Sequence, residues 1–176
     1  MESSPAILLR RTRFSDTSLI ITWLTRDAGK LKTMARGALG KKSAFAGALD
    51  LFFETEIIWV HSRRSEIHPL REAALLEPFE GLRRDYTRVE MASYFVELLE
   101  LTVEPEHPVP ELYDLLHRAL AYLETATPNR RALLHFEREL ARHLGIHTEG
   151  VDASTSLWQI AHRLPESRQR LLDKWP

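Results

Sequence analysis

The eight histidines and 25 acidic residues of this chain supply the side chains that catalysis and metal binding use, but their spacing forms no recognisable site. His143 and His147 stand four residues apart, as two ligands on a helix would, yet Gly145 lies between them and is predicted to end that helix. Ser, His and Asp residues between positions 152 and 162 lack the strand-turn-helix context of a nucleophile elbow. Neither common glycine-rich phosphate loop is present. The sequence therefore predicts no catalytic residues, no cofactor and no metal site.

A different chemistry, the electrostatic binding of a polyanion, is indicated by residues 10–42. This segment contains nine Lys or Arg and two Asp residues, a formal charge of +7 in a chain whose net charge is −1. Such asymmetry suggests one face for a nucleic acid, because cations that alternate along a strand neutralise successive phosphates. The competing interpretation is a solvated sheet face. The residues that we predict to hold phosphates are Arg10, Arg11, Arg13, Lys30, Lys32, Arg36, Lys41 and Lys42.

Aromatic side chains are the second requirement for binding single strands, because bases stack on their rings. Phe14, Trp23, Phe45 and Trp59 are available in the N-terminal half. Trp23 and Trp59 occupy strand positions, where an aromatic ring is more often part of the core. Phe14 and Phe45 lie near basic residues in or beside loops, so they are the predicted stacking residues.

The elements that must position these residues are β-strands in the first half of the chain. Apolar residues recur with period two from Ala6 to Trp59, and a fifth, less regular strand follows over residues 67–76. An alanine-rich segment, residues 43–49, could form a helical turn between the third strand and a fourth strand that begins near Leu51. Five strands in about seventy residues match the small Greek-key barrel called the OB fold, with a small sandwich as the alternative.

Near Pro78 the period of the apolar residues changes to 3.6, which predicts helices. Thr87 and Glu90 have the spacing of a capping box before the first helix, and Pro110 starts the second. Further helices are predicted to begin at Thr127-Pro128, at Ser154 or Thr155, and at Pro165.

The third predicted helix carries a row of cations on one face: Arg131, His135, Arg138 and Arg142. A basic helix face usually points into solvent. The functional interpretation is a groove for an acidic peptide, in which arginines hold carboxylates and nearby apolar surface receives hydrophobic side chains.

The predicted fold class is α+β, with an OB-fold domain over residues 1–77 followed by an all-α domain over residues 78–176. With no cysteine the chain has no disulfide framework, and no apolar stretch approaches the roughly 20 residues that cross a bilayer. We therefore expect a cytoplasmic protein with no membrane insertion.

Several short motifs, in order along residues 6–145, resemble the bacterial RecO family. Each is weak alone, but the ordered set is fairly specific. The matching segments are Leu8 to Ile20, with Arg13 followed by Ser15-Asp16; Thr25 to Lys30; Ala35-Arg36-Gly37-Ala38; Leu70 to Glu77; and Ala92 to Leu98.

The resemblance implies an OB fold with a helical C-terminal domain, binding to single- and double-stranded DNA, and annealing of complementary strands. It also implies help in loading RecA onto DNA coated with single-strand-binding protein, together with RecR, in the cytoplasm at the nucleoid. Family members bind the acidic tail of single-strand-binding protein through their helical domain, and we assign that role to Arg131, Arg138 and Arg142. The helical domain is shorter than is usual in the family and lacks its four zinc-binding cysteines, so no zinc finger is expected.

Two other function classes stay open from the sequence. The same barrel and helices could form a protein adaptor of the repair machinery, with the basic face docked on an acidic partner and no DNA binding of its own. An enzyme that uses His135 or His143 is the third possibility, although no catalytic set accompanies either histidine.

Overall fold

The computed structural model describes residues 1–175 and confirms the α+β class, with five strands followed by helices. The strands are β1 (Glu2–Arg13), β2 (Leu19–Thr25), β3 (Gly29–Ala35), β4 (Glu54–Trp59) and β5 (Ile67–Glu77). After a 3-10 helix (Glu80–Arg84) come α1 (Tyr86–Thr102), α2 (Pro110–Thr125), α3 (Arg130–His143), α4 (Ala153–Ala161) and α5 (Ser167–Asp173). None of the described helices has the length and apolar character needed to cross a membrane.

The five strands form a closed barrel in the order β1-β2-β3-β5-β4. Closure depends on the length of β1, whose first half pairs with β4 while its second half continues along β2. All pairs are antiparallel except β3 with β5. This arrangement confirms the predicted OB fold over the sandwich, because one closed sheet replaces two separate ones.

Alternate residues of each strand point into the barrel and fill it. Trp23 and Trp59 are the largest side chains there, and both are almost completely buried, as predicted. The indole N–H of Trp23 donates to the Thr33 hydroxyl oxygen at 2.8 Å, so its polar atom is satisfied inside the core. Apolar burial of this kind contributes roughly 25 cal/mol per Å² and is the main stabilising contribution to the barrel.

The connection between β3 and β4 contains turns. Residues 43–49, for which a helical turn is predicted, form two of them without a regular helix: the Ala46 amide donates to the Ser43 carbonyl at 3.3 Å and the Ala48 amide to the Phe45 carbonyl at 3.1 Å. Successive amides donate three residues back, from Gly40 to the Gly37 carbonyl and from Ser43 to the Gly40 carbonyl. These turns bring Phe45 and Leu49 into the barrel core. The fourth strand begins three residues later than predicted, at Glu54, because the chain bends at Phe52, whose φ is +70°.

The chain divides into two compact units. The barrel unit comprises Met1–Phe79 with Glu104–Tyr113, and the helical unit comprises Glu80–Val103 with the chain from Asp114 onward. The predicted domain limits, 1–77 and 78–176, stay a prediction.

Residues 104–107, here called the return segment, lie along the start of β3 within the barrel unit. Pro105 forms a parallel bridge with Lys30, and the Glu106 amide donates to the Lys30 carbonyl at 2.8 Å. Gly29 lies so close to this segment that a Cβ atom built on it would stand 2.3 Å from the His107 carbonyl oxygen. A glycine is therefore required at position 29 for two reasons, the contact and a φ of +73°.

The first helix of the helical unit is capped by a residue other than the predicted one. The Asp85 side chain accepts the Thr87 amide hydrogen at 2.8 Å, which places Thr87 inside α1 and removes the predicted capping box. Glu90 points inward instead, where Lys174 lies 2.6 Å and Arg170 3.3 Å from its carboxylate. In a capping box, Glu90 would accept a hydrogen bond from the Thr87 amide. Contacts with two cations stabilise this buried carboxylate more strongly than that single bond would.

The starts of α3 and α4 were also predicted wrongly by about two residues. Asn129 caps α3 by accepting the Ala132 amide hydrogen, and Asp152 caps α4 by accepting that of Ser154. The predicted end of α3 is confirmed, since Gly145 has a φ of +71° and its amide donates to the Arg142 carbonyl at 2.9 Å.

A buried carboxylate fixes α3 in the helical unit. Glu137 is 1% exposed and accepts two hydrogen bonds from the Arg168 guanidinium, at 2.7 and 3.0 Å. Tyr94 donates its hydroxyl hydrogen to the same carboxylate. Burial and the negative charge of Glu137 raise the pKa of Tyr94, so its hydroxyl stays protonated and keeps donating.

The contact at Gly29 leads to a stability prediction. Gly29→Ala should lower the free energy of unfolding by about 2–5 kcal/mol, because left-handed strain of about 1–2 kcal/mol adds to about 1–3 kcal/mol for displacing backbone. Gly37→Ala is the matched control, with a φ of +72° and no atom within 4 Å of the new Cβ. Urea unfolding of both variants should separate them, and equal losses would contradict the close packing of the return segment.

Candidate nucleic-acid interface

The outward face of β2 and β3 is the centre of the candidate interface. Arg10 of β1 lies opposite Thr22 of β2, and Thr22 lies opposite Lys32 of β3. Directly opposite residues share a face of the sheet, so the three side chains form a row across three strands. With strands about 4.8 Å apart, the backbones of Arg10 and Lys32 are roughly 10 Å apart.

The predicted alternation along β3 is confirmed. Leu31, Thr33 and Ala35 are buried, whereas Lys32 is exposed and Lys30 half-buried on the opposite face. Arg36 follows the strand and is also exposed. The sheet therefore holds these cations on one side of β3, and their contact with DNA stays a prediction.

Arg11 and Arg13 do not join this row. A bulge in β1 between Leu8 and Arg10 shifts the pairing by one residue, so Arg10 turns outward and Arg11 and Arg13 fall on the core side at the barrel end. Arg11 donates to the Leu49 carbonyl at 3.1 Å and pairs with Asp50 at 3.2 Å. Arg13 pairs with Asp16 at 3.1 Å. Both guanidinium groups already hold loops in place.

The lysine pair belongs to the end of the barrel where β3 finishes. The Leu39 amide donates to the Thr17 carbonyl at 2.9 Å, which sets this part of the β3–β4 connection against the β1–β2 loop. Lys41 and Lys42 follow directly and are exposed. Within residues 1–175, four of the predicted cations form no ion pair, which leaves them available for phosphates: Lys32, Arg36, Lys41 and Lys42.

The two predicted stacking residues have different surroundings. Phe45 is only 7% exposed and belongs to the barrel core, so it has no face to offer a base and its prediction is wrong. The turns of the β3–β4 connection carry it inward. Phe14 is 62% exposed in the β1–β2 loop.

Three exposed arginines of the barrel unit were not among the predicted cations. Arg71 is exposed two residues beyond Pro69, which is paired with Met34 on the outward face. Arg63 and Arg64 are exposed in the β4–β5 loop, one of the loops through which OB folds bind ligands. The parallel pairing of β3 with β5, which is built into the OB strand order, is the signal that would have found Arg71.

One group of potential metal ligands occurs among residues 1–175, and neither His143 nor His147 is in it. The ligand atoms of His61, His68 and Glu106 lie within 4.8 Å of one another. The Ser62 amide donates to Nδ1 of the buried His68 at 3.1 Å, so Nε2 carries the hydrogen and donates it to Glu106 at 3.1 Å. With both nitrogens used, His68 offers no lone pair to a cation. The group holds the return segment on the barrel.

The cationic row on α3 lies beside an apolar groove in the helical unit. All four of its members are exposed, as predicted for an outward face. The groove has a volume of about 710 Å³, and its lining includes Phe95, Leu115 and Phe136 on the apolar side with Arg118 and Arg131 as cations and His135 beside them.

The three predicted partner-binding arginines are not equivalent. Arg131 lines the groove, whereas Arg138 lines a smaller neighbouring hollow of about 450 Å³. Arg142 pairs with Glu139 at 2.6 Å, which neutralises much of its charge. Arg118 of α2 was not predicted, because the sequence does not show that α2 and α3 line the same groove.

The fold and these surfaces define an OB-fold protein with an attached helical unit that carries its own groove. Comparison with protein families makes the assignment specific. The family model described as "Recombination protein O N terminal" matches residues 1–79, and "Recombination protein O C terminal" matches residues 83–149. The chain therefore belongs to the RecO family, and the resemblance seen in the sequence is confirmed.

Curated relatives named "DNA repair protein RecO" give the same result. The Rhodopirellula baltica protein is 33% identical over 165 residues, which is 94% of this chain and 60% of that protein. The Desulfosudis oleivorans protein is 36% identical over 124 residues, 70% of this chain and 48% of that protein. The Myxococcus xanthus protein is 32% identical over 141 residues, 80% of this chain and 57% of that protein. The chain thus spans about half to three fifths of these relatives.

Replacing a cation that has partners should lower the stability of the protein more than replacing a cation that has none. Arg11→Ala should lower the free energy of unfolding by about 1 kcal/mol, because it removes a hydrogen bond to the Leu49 carbonyl. Lys42→Ala should change it by less than about 0.5 kcal/mol, because an exposed side chain without a partner is lost. Urea unfolding measures both, and a Lys42→Ala loss as large as that of Arg11→Ala would contradict the assignment of free and engaged cations.

Proposed function

We propose that this protein is a RecO-like recombination mediator that binds single- and double-stranded DNA and anneals complementary strands. Membership of the RecO family supports a role in DNA repair and recombination. The observation that carries the DNA-binding part is the group of unpaired cations on and beside the outward face of the barrel, of which Lys32, Arg36 and Lys42 are the clearest.

Cations placed in this way act on phosphates without contacting the edges of bases. Each contact releases condensed counterions from the nucleic acid, so affinity falls as salt rises and depends little on sequence. Annealing follows because neutralised backbones repel each other less while their bases stay able to pair. The proposed activity breaks no covalent bond, which makes the protein a mediator rather than an enzyme.

The partners that we propose are single-strand-binding protein and RecR, with RecA loading as the outcome. The groove of the helical unit suits the acidic tail of single-strand-binding protein, since cations hold carboxylates beside an apolar floor that accepts a hydrophobic side chain. Of the three predicted partner-binding arginines, Arg131 is the one that lines the groove, and we propose that Arg118 binds the peptide together with it. The proposed partner RecR rests on the family alone, as does association with the nucleoid.

The groove also supports the alternative function, a protein adaptor that does not bind DNA. In the adaptor, the basic face of the barrel and the groove both dock on acidic protein partners and not on DNA, so the two functions predict different behaviour toward an oligonucleotide. Binding of an acidic peptide without any binding of DNA would identify the adaptor.

The DNA-binding proposal predicts a steep salt dependence. A labelled single strand of about 30 nucleotides, followed by fluorescence anisotropy, should bind more weakly as salt rises. Lys32→Glu, Arg36→Glu and Lys42→Glu should each weaken binding and make the slope of log K against log salt shallower by about 0.7, the value of one lost phosphate contact. The triple variant should not bind.

Arg163→Glu is the matched control, because Arg163 is an exposed arginine of the helical unit whose side chain has no ion pair within the described chain. It makes the same change in charge and should leave affinity and slope nearly as they are. Equal weakening by Arg163→Glu and Lys42→Glu would show that only net charge matters. Unchanged affinity in a folded triple variant would rule out the proposed face.

The groove proposal predicts a graded effect of two reversals on peptide binding. Arg131→Glu should weaken binding of a labelled acidic peptide by at least about fivefold, because attraction becomes repulsion at the edge of the groove. Arg142→Glu should have a smaller effect, since Glu139 already neutralises Arg142.

Anisotropy with the labelled tail of single-strand-binding protein provides the measurement, with a peptide of the same composition but Asn in place of Asp as the control ligand. An Arg142→Glu effect equal to or larger than that of Arg131→Glu would place the peptide elsewhere on α3.

A further inference from the structure

The β1–β2 loop exposes an aromatic ring that the barrel does not use. Phe14 is 62% exposed, and Leu39 of the adjoining connection is 48% exposed. The Leu39 amide donates to the Thr17 carbonyl at 2.9 Å, so the two apolar residues belong to neighbouring parts of one surface. Exposed apolar side chains that adjoin one another and are rimmed by charged residues mark a binding surface more often than single scattered ones do.

The loop that carries Phe14 is held by its own hydrogen bonds. The Phe14 amide donates to the Ser18 carbonyl at 3.0 Å, and the Ser15 hydroxyl oxygen accepts the Ser18 amide hydrogen at 3.2 Å. The Arg13 guanidinium bonds both to the Ser15 carbonyl and to Asp16, each at 3.1 Å. The backbone beneath the ring is therefore ordered before any ligand binds, which lowers the entropic cost of binding.

The charges beside this loop favour an anionic ligand. Arg36, Lys41 and Lys42 are exposed and form no ion pair within residues 1–175. The one acidic side chain of the loop, Asp16, is paired with Arg13 at 3.1 Å. An aromatic face next to unpaired cations has the two components that single-stranded nucleic acids require, a stacking surface and phosphate partners.

We infer that Phe14 is a stacking site for one unpaired base, with Leu39 beside it and Arg36, Lys41 and Lys42 on the neighbouring phosphates. This inference rests on the proposed DNA binding and adds a preference to it. Bases inside a duplex already stack on each other, so only an unpaired base offers Phe14 a free face. The cations bind the phosphates of single and double strands alike, whereas the Phe14 ring can stack only on a base of a single strand.

The test compares two labelled strands of equal length and charge, oligothymidylate of about 15 nucleotides and a strand of the same length made of abasic sites. Wild-type protein should bind oligothymidylate more tightly. Phe14→Ala should weaken binding of oligothymidylate by about fivefold or more, and binding of the abasic strand by less than about twofold. The salt slope should stay unchanged for both strands, because no phosphate contact is removed.

Two variants serve as controls. Phe14→Trp keeps a stacking face and should retain the affinity of the wild type for oligothymidylate. Tyr86→Ala removes an aromatic ring that is 74% exposed in the helical unit and should change neither affinity. An unchanged urea midpoint for Phe14→Ala would show that the loop stays folded.

Each outcome decides the question. Equal affinity of the wild type for both strands, or equal losses on both strands in Phe14→Ala, would overturn base stacking while leaving phosphate binding in place. If the wild type binds neither strand at low salt, the proposed DNA binding fails and the stacking site fails with it.

Discussion

Closure of five strands around two buried tryptophans is the constraint on which the candidate interface depends. Once Trp23 and Trp59 fill the interior, every second residue of each strand has to face outward. Lysine and arginine at those positions keep their charge in water at little cost, so the outward row from Arg10 to Lys32 is compatible with a stable barrel. Binding surface and core are thus two sides of the same alternation, and an exposed outward residue such as Lys32 can change charge without disturbing the packing.

The helical unit buries carboxylates, and a buried charge is costly unless it is paired. Glu137 points inward from α3 and is stabilised by a bidentate contact with Arg168 of α5, an arrangement that is costly to leave half-paired. The neighbouring inward residue, Phe136, stacks on Phe95 of α1 with ring centroids 3.9 Å apart. These contacts set the rotation of α3 about its axis. The direction in which Arg131 points is therefore decided on the buried side of the helix.

Period two and period 3.6 were enough to predict five strands, five helices and the order of the two halves, because burial imposes those periods directly. Helix starts were harder. Asp85, Asn129 and Asp152 cap their helices although Ser or Thr stood nearby, since which polar side chain caps a helix depends on backbone angles that the pattern does not carry. The sequence also did not show which cations face outward and which face the core side. One extra residue in β1 exchanges the faces of Arg10 and Arg11, and a bulge leaves little trace in the sequence.

The return segment belongs to the barrel unit but is synthesised after α1. Lys30 obtains its hydrogen-bond partner, Glu106, only after the whole of α1 has been synthesised. Until then the start of β3 lacks that neighbour and the space beside Gly29 is empty. The barrel unit thus cannot reach its final structure as a continuous N-terminal piece during translation. Its completion must wait for a stretch of chain that belongs, in sequence, to the helices.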